Sequence, residues 1–173
     1  MMYNKYILAD EVTMKWQSVG EQPCSVARTL SVMGDRWTML ILRNAFLGIR
    51  RFDDFQSSLG VTRHVLAERL KRLVEHGILK KTPYQDRQER FEYRLTEKGH
   101  DLQPILLTLT AWGDKWMDEG RGAPVIFYHR DCGHAFTPMV VCSVCKETVT
   151  ARNIYSTSRE DVDAVKSQLL SLL

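Results

Sequence analysis

Apolar residues recur along the chain at two spacings, and the switch between them marks the elements. Phe52, Phe55 and Leu59 fall at i, i+3 and i+7, one face of a helix. Gly60 can take the positive φ on which such a helix stops, and Thr62 is a suitable N-cap for the next. Over about 62–76, Leu66, Leu70, Leu73 and Gly77 share one stripe, flanked by Val65 and Val74. Arg63, His64, Ala67, Glu68 and Lys71 fall largely on the other side. Upstream, 24–33 reads as a first helix after Pro23, with Val26, Leu30 and Met33 on one face. Gly34 ends it. Asp35 then caps a second helix over 36–47, where Trp37, Leu40, Ile41, Ala45 and Phe46 are largely apolar. Residues 1–20 carry little pattern, which predicts a loosely docked arm.

Behind Gly77 the period falls from about 3.6 to two. The stretches 78–84 and 91–95 read as strands around a polar turn at 85–90, so a β-hairpin follows the last of these helices directly. A helix-turn-helix with a hairpin behind it is a winged helix-turn-helix. Thr96 and Gly99 open a long helix to about residue 119. Its Leu102, Ile105, Leu106, Leu109, Trp112, Trp116 and Met117 make a broader stripe than a domain edge needs, so part of it is expected to pack on a second subunit. The other reading is that it only closes its own core. Pro104 lies early enough to be tolerated with a bend.

Composition breaks at 119–124, a Gly- and Pro-containing stretch, and 125–128 reads as a strand. Ser158 starts a last helix with Asp161 in capping-box position and an apolar face through Leu169 and Leu170. The fold class expected is α+β and mostly helical: a winged helix-turn-helix domain with a long dimerisation helix, then a small zinc-ribbon-like hairpin and a terminal helix. The expected organisation is an arm at 1–22, the DNA-binding domain at 23–120, a Cys/His appendage at 121–157 and the helix at 158–173.

Charge sharpens this picture. The formal net charge is only +3, but residues 50–98 hold 12 Lys and Arg against 8 Asp and Glu, while the rest of the chain holds 12 against 13. The excess lies on the helix-turn-helix and the hairpin, as a phosphate-binding surface requires. An ordinary mixed surface is the plainer alternative. The second helix of such a motif enters a major groove about 12 Å wide. Thr62, Arg63, His64, Ala67 and Lys71 are then the groove-facing candidates. Arg50 and Arg51, with Arg87, Gln88 and Arg90 at the hairpin tip over 84–91, are candidates for phosphate or minor groove. A two-fold dimer would set two such helices about 34 Å apart on palindromic double-stranded DNA.

No stretch approaches 18 apolar residues, and the amino terminus lacks a signal-peptide pattern, so the cytoplasm is the expected compartment. Four cysteines are too few for a disulfide scaffold. Three of them cluster with histidine as H-x2-C at His129 and Cys132, and C-x2-C at Cys142 and Cys145. Two close pairs across a short hairpin suit tetrahedral zinc, each pair spanning one edge. His134 competes with His129 as fourth ligand. A metal-free turn with reduced thiols and a redox pair are the alternatives. A site closed by four protein ligands would be structural, with no open position for catalysis.

Residues 23–113 resemble the HxlR family of bacterial winged helix-turn-helix regulators. The resemblance is carried by Cys24-Ser-Val-Ala, Gly34-Asp-Arg-Trp37, Leu40-Ile-Leu-Arg43, Arg50-Arg-Phe-Asp53, Leu66-Ala-Glu-Arg-Leu70, Leu73, His76-Gly-Ile-Leu79, Tyr93-Arg-Leu-Thr-Glu-Lys-Gly99 and Leu102-Gln-Pro104. It implies a homodimer that binds operator DNA to repress or activate nearby genes; a repressor is the function expected. Some members use a Cys at the position of Cys24 as a thiol sensor. Here Ser25 follows Cys24 where the family usually has Pro, and the residue itself reads as a small buried Cys. No nucleophile–base arrangement or phosphate-cradling Gly loop is present, so an enzyme is not expected. A zinc- or thiol-dependent enzyme or an adaptor built on Cys132, Cys142 and Cys145 is the runner-up.

Overall fold

Asp35 ties the first half of the fold together. In the computed structural model, which describes residues 16–83 and 91–157, helix α1 spans Ser25–Met33 and α2 spans Arg36–Phe46. Asp35 sits between them in extended conformation and accepts the backbone N–H groups of Trp37 and Thr38, each at 3.0 Å. Helix α3 spans Phe52–Leu59 and α4 spans Arg63–Glu75. From α4, Arg69 Nε reaches to 3.1 Å from Asp35 Oδ1, an ion pair whose N–H is not aligned as a hydrogen bond. Burial pushes the Asp35 carboxyl up, but the Thr38 hydroxyl and N–H, Arg69 and the Trp37 N–H outweigh it and hold it below its ordinary value.

A depressed carboxyl stabilises the fold above its unfolded value, near 3.9, and that contribution is lost as pH falls through the lower folded value. Asp35→Ala is expected to cost about 1–2 kcal/mol at pH 7, the range for a lost N-cap. The gap to the parent chain should narrow below about pH 4. Urea unfolding at pH 7 and pH 3 checks both; a gap that stays constant would contradict the assigned charge.

The core is built where the helical stripes meet. Leu66, Leu70 and Leu73 of α4 are fully buried with Ile41 and Leu42 of α2, Phe55 of α3, and Ile78 and Leu79 beyond α4. Each such side chain stabilises the fold by about 1.5–3 kcal/mol relative to an exposed one. Two polar residues of α2 are fully buried among them. Asn44 donates to Ser58 Oγ at 3.0 Å and accepts from the Arg43 guanidinium at 2.9 and 3.1 Å, joining α2 to α3. Thr38 is held by Asp35.

Strands β1, Leu79–Pro83, and β2, Phe91–Leu95, pair antiparallel with Leu79 opposite Leu95 and Pro83 opposite Phe91. Arg51 adds an isolated bridge to Glu92, and the Tyr93 N–H donates to the Arg50 carbonyl at 2.8 Å, so the entry to α3 lies along the hairpin. Helix α5 spans Glu97–His100. Thr96 caps it, its hydroxyl accepting from the Gly99 N–H at 3.1 Å and donating to the Gly77 carbonyl at 2.6 Å.

Four local expectations are corrected. The single helix expected over 96–119 is divided into α5 and α6, Gln103–Trp116, because Pro104 offers no N–H to the His100 carbonyl four residues back. It ends at Trp116, short of Glu119, which takes a left-handed φ of 52°. Trp16–Glu21, expected to be part of a loose arm, forms a 3-10 helix beside α1. The stretch 125–128 forms no strand; only Tyr128 pairs, with Ala135. Residues 1–15, the hairpin tip with Arg87, Gln88 and Arg90, and the helix expected from Ser158 lie outside the described residues. The chain divides into two compact units after Leu107, within α6. Among the described residues no helix is long and apolar enough to cross a membrane.

Candidate nucleic-acid interface

The turn between α3 and α4 is set by two neighbouring residues. Gly60 stops α3 in left-handed conformation, φ 64° and ψ 22°, and its N–H returns to the Gln56 carbonyl at 2.9 Å. Val61 is buried in the core, which leaves Thr62 to cap α4 by accepting the Val65 N–H at 3.4 Å. With Leu66, Leu70 and Leu73 held inward, the opposite face of α4 is exposed. It presents Thr62, Arg63, His64, Ala67, Glu68, Lys71 and Glu75. All five groove-facing candidates lie on it. Lys71 pairs loosely with Glu75, 3.6 Å one turn on.

The four basic residues of α4 have different partners. Arg69 pairs with Asp35 and with Glu68, at 2.9 Å. Arg72 donates to the Ser31 carbonyl at the end of α1. These two hold the helix to its neighbours and leave Arg63 and Lys71 to the open face. Arg63 is folded back along α3: its Nη1 lies 3.0 Å from Asp53 Oδ1 and 3.1 Å from Gln56 Oε1, and its guanidinium sits 4.8 Å from the Phe52 ring centroid. Both ends of the Asp53 pair are well exposed, 68% and 81%, so releasing Arg63 costs at most about 1 kcal/mol. Arg50 and Arg51 are exposed at the start of α3.

Two further exposed cations stand on β1, outside the set read from the sequence. Lys80 and Lys81 are exposed on β1, and Lys81 Nζ lies 3.9 Å over the Phe91 ring. Adjacent lysines in the first predicted strand were the available signal. Cys24 is exposed at the N-cap of α1, correcting the expectation of a buried thiol; its side chain makes no cap.

The Cys and His residues of the second unit stand as two pairs. Cys132 Sγ is 3.4 Å from His129 Nδ1. The Cys142 thiol is held below its ordinary range by the backbone N–H groups of Cys145 and Val144 and by the Cys145 side chain. Among the described residues, no three His, Cys, Asp or Glu side chains gather closely enough to hold an ion. His134 contributes a backbone carbonyl that accepts from the His129 N–H at 2.9 Å.

Known proteins match this architecture. A family model for HxlR-like helix-turn-helix proteins matches residues 32–121. The chain is 45% identical over 130 residues to Rv3095 of Mycobacterium tuberculosis, an uncharacterised HTH-type transcriptional regulator, covering 75% of this chain and 82% of that one. The crystal structure of PA1607, a candidate transcription factor, superposes with a TM-score of 0.74 at 38% identity and covers 82% of this chain and 99% of its own. PA1374 of Pseudomonas aeruginosa, also a candidate transcription factor, gives 0.55 at 34% identity over 79% and 97%.

Proposed function

Since the chain belongs to the HxlR-like helix-turn-helix family and is a DNA-binding transcriptional regulator rather than an enzyme, we propose that it acts in the cytoplasm as a homodimeric repressor on a palindromic operator. In this reading α4 lies in the major groove. Thr62, Arg63, His64, Ala67 and Lys71 face the bases and nearby phosphates. Arg50 and Arg51 grip the backbone at the start of α3, and the hairpin, with Arg87, Gln88 and Arg90 at its tip and Lys80 and Lys81 on its first strand, lies on the minor groove or phosphates. The observation that carries the reading is the exposed face of α4, whose small central Ala67 lets the helix approach closely while its other basic residues are tied inward. The dimer is supported by α6. None of its residues is buried, and Ile105, Leu109, Trp112 and Trp116 recur at one helical spacing while 44–66% exposed.

The test is binding to the DNA upstream of the protein's own gene, against non-specific competitor, across a salt series. A saturable complex with a protected palindrome and a steep salt slope is expected. Arg63→Ala should leave folding within about 1 kcal/mol, since its pair is exposed. If Arg63 reads a base, the variant should bind the operator about 1–3 kcal/mol more weakly and with relaxed specificity. If Arg63 grips a phosphate, the variant should bind all sequences more weakly alike, with a salt slope lower by about 1. Undiminished affinity in the variant would remove Arg63 from the interface.

A further inference from the structure

The segment around the Cys/His pairs contains one backbone unit written twice, 13 residues apart. In the first copy the His129 N–H donates to the His134 carbonyl at 2.9 Å, and the Gly133 N–H returns to the His129 carbonyl at 2.8 Å. Tyr128 bridges Ala135, and the Phe136 N–H donates to the Phe127 carbonyl at 3.0 Å. In the second, Cys142 N–H donates to Glu147 at 2.9 Å and Lys146 N–H returns to Cys142 at 3.0 Å. Val141 bridges Thr148, and Val149 N–H donates to Val140 at 2.8 Å. The turn residue is left-handed in both, φ 71° at Gly133 and 64° at Lys146. A lysine adopts that conformation only where its surroundings over-determine it.

In each copy the first and fourth positions carry a metal-ligating side chain: His129 and Cys132, then Cys142 and Cys145. The first pair is already in mutual contact, Cys132 Sγ lying 3.4 Å from His129 Nδ1. Among the described residues this segment has no buried core, only ring contacts of Phe136 with Phe127 and His129. From 125 to 157 no residue is buried, and Ile126, Tyr128, Met139, Val140 and Val144 are 57–87% exposed. A segment this short without a core usually relies on a disulfide, a metal or a partner surface. Disulfides are absent, since all four cysteines are free.

The four side chains stand as two separate pairs rather than one cluster, and we infer that the two hairpins are a pair of metal knuckles that draw together on one zinc-class divalent cation per chain, through His129, Cys132, Cys142 and Cys145. Three thiolates and one imidazole are a closed tetrahedral zinc set. The short tether between the hairpins, 137–139, makes their closure around one ion entropically cheap, and ion binding is then coupled to the folding of the segment. The repeat also decides between the two histidines. His134 corresponds to Glu147, the position that supplies a carbonyl to the turn, so His129 is the ligand. The inference stands apart from the DNA reading and survives its failure.

The metal-stripped full chain is titrated with Co2+ alone, then with Zn2+. One equivalent per chain is expected, with thiolate-to-cobalt charge transfer and tetrahedral visible bands that Zn2+ abolishes. Zn2+ should also protect 125–157 from protease. His129→Ala and Cys132→Ser should each weaken binding by roughly 100-fold or more, with His134→Ala unchanged. A pale octahedral spectrum without charge transfer, one ion per two chains, unchanged binding in Cys132→Ser, or loss in His134→Ala with His129→Ala silent would each overturn the assignment.

Discussion

Trp112→Glu is expected to convert the protein to a monomer and to weaken operator binding by roughly 10²–10⁴-fold, the factor that linking two half-site contacts supplies. The side chain is 57% exposed on α6, so the substitution removes little packing from its own chain. In the proposed dimer it puts a carboxylate into an apolar seam shared with Ile105, Leu109 and Trp116, where an unpaired charge is costly. The two recognition helices would then bind independently instead of as a fixed pair one DNA turn apart. Sedimentation velocity reads the mass and a binding titration reads the affinity. A Trp112→Glu protein that stays dimeric would place the interface elsewhere. A monomer with full operator affinity would dismiss the need for a dimer altogether.

Gly99→Ala is expected to cost roughly 3 kcal/mol or more, beyond the middle of the range for overpacked sites. A Cβ at this position would lie 2.3 Å from the Ile78 carbonyl oxygen and 3.0 Å from Leu95 Cδ2. The leucine can turn aside, but the carbonyl is backbone. It accepts the Thr96 N–H at 3.1 Å, so moving it breaks the hydrogen bond that seats the first turn of α5 against the hairpin. Thr96 also bonds Gly77 and Gly99 through its hydroxyl, so the whole junction of α4, β1 and α5 would shift together. For a domain of this size the loss lowers the melting temperature by roughly 15 °C. Lys98→Ala next door removes only an exposed bond to the His76 carbonyl and should stay within about 0.5 kcal/mol. Equal melting of Gly99→Ala and the parent chain would refute the close approach.

The helices near the site were legible because their signals are local. The stripe of Leu66, Leu70 and Leu73, the caps Asp35 and Thr62, and the stop at Gly60 each act over a few residues, and each lies where its pattern points. The hairpin was legible for the same reason, from alternation in 91–95. What alternation cannot carry is which partner a long side chain finds. Arg63, Arg69 and Arg72 look alike on a helical stripe, yet Arg72 crosses 41 positions to the Ser31 carbonyl, Arg69 goes to the cap of α2, and Arg63 folds onto Asp53. Burial of Asn44, a polar residue on an apolar face, follows from Ser58 and Arg43 satisfying it. The need for glycine at 99 arises only because α5 is pressed on Ile78. The H-x2-C and C-x2-C spacings were visible in the letters, but the identity of their turns was not, since it is written in backbone hydrogen bonds. Period and caps depend on neighbours along the chain; guanidinium partners, buried amides and close backbone approaches depend on neighbours in space, and those exist only once the helices have packed.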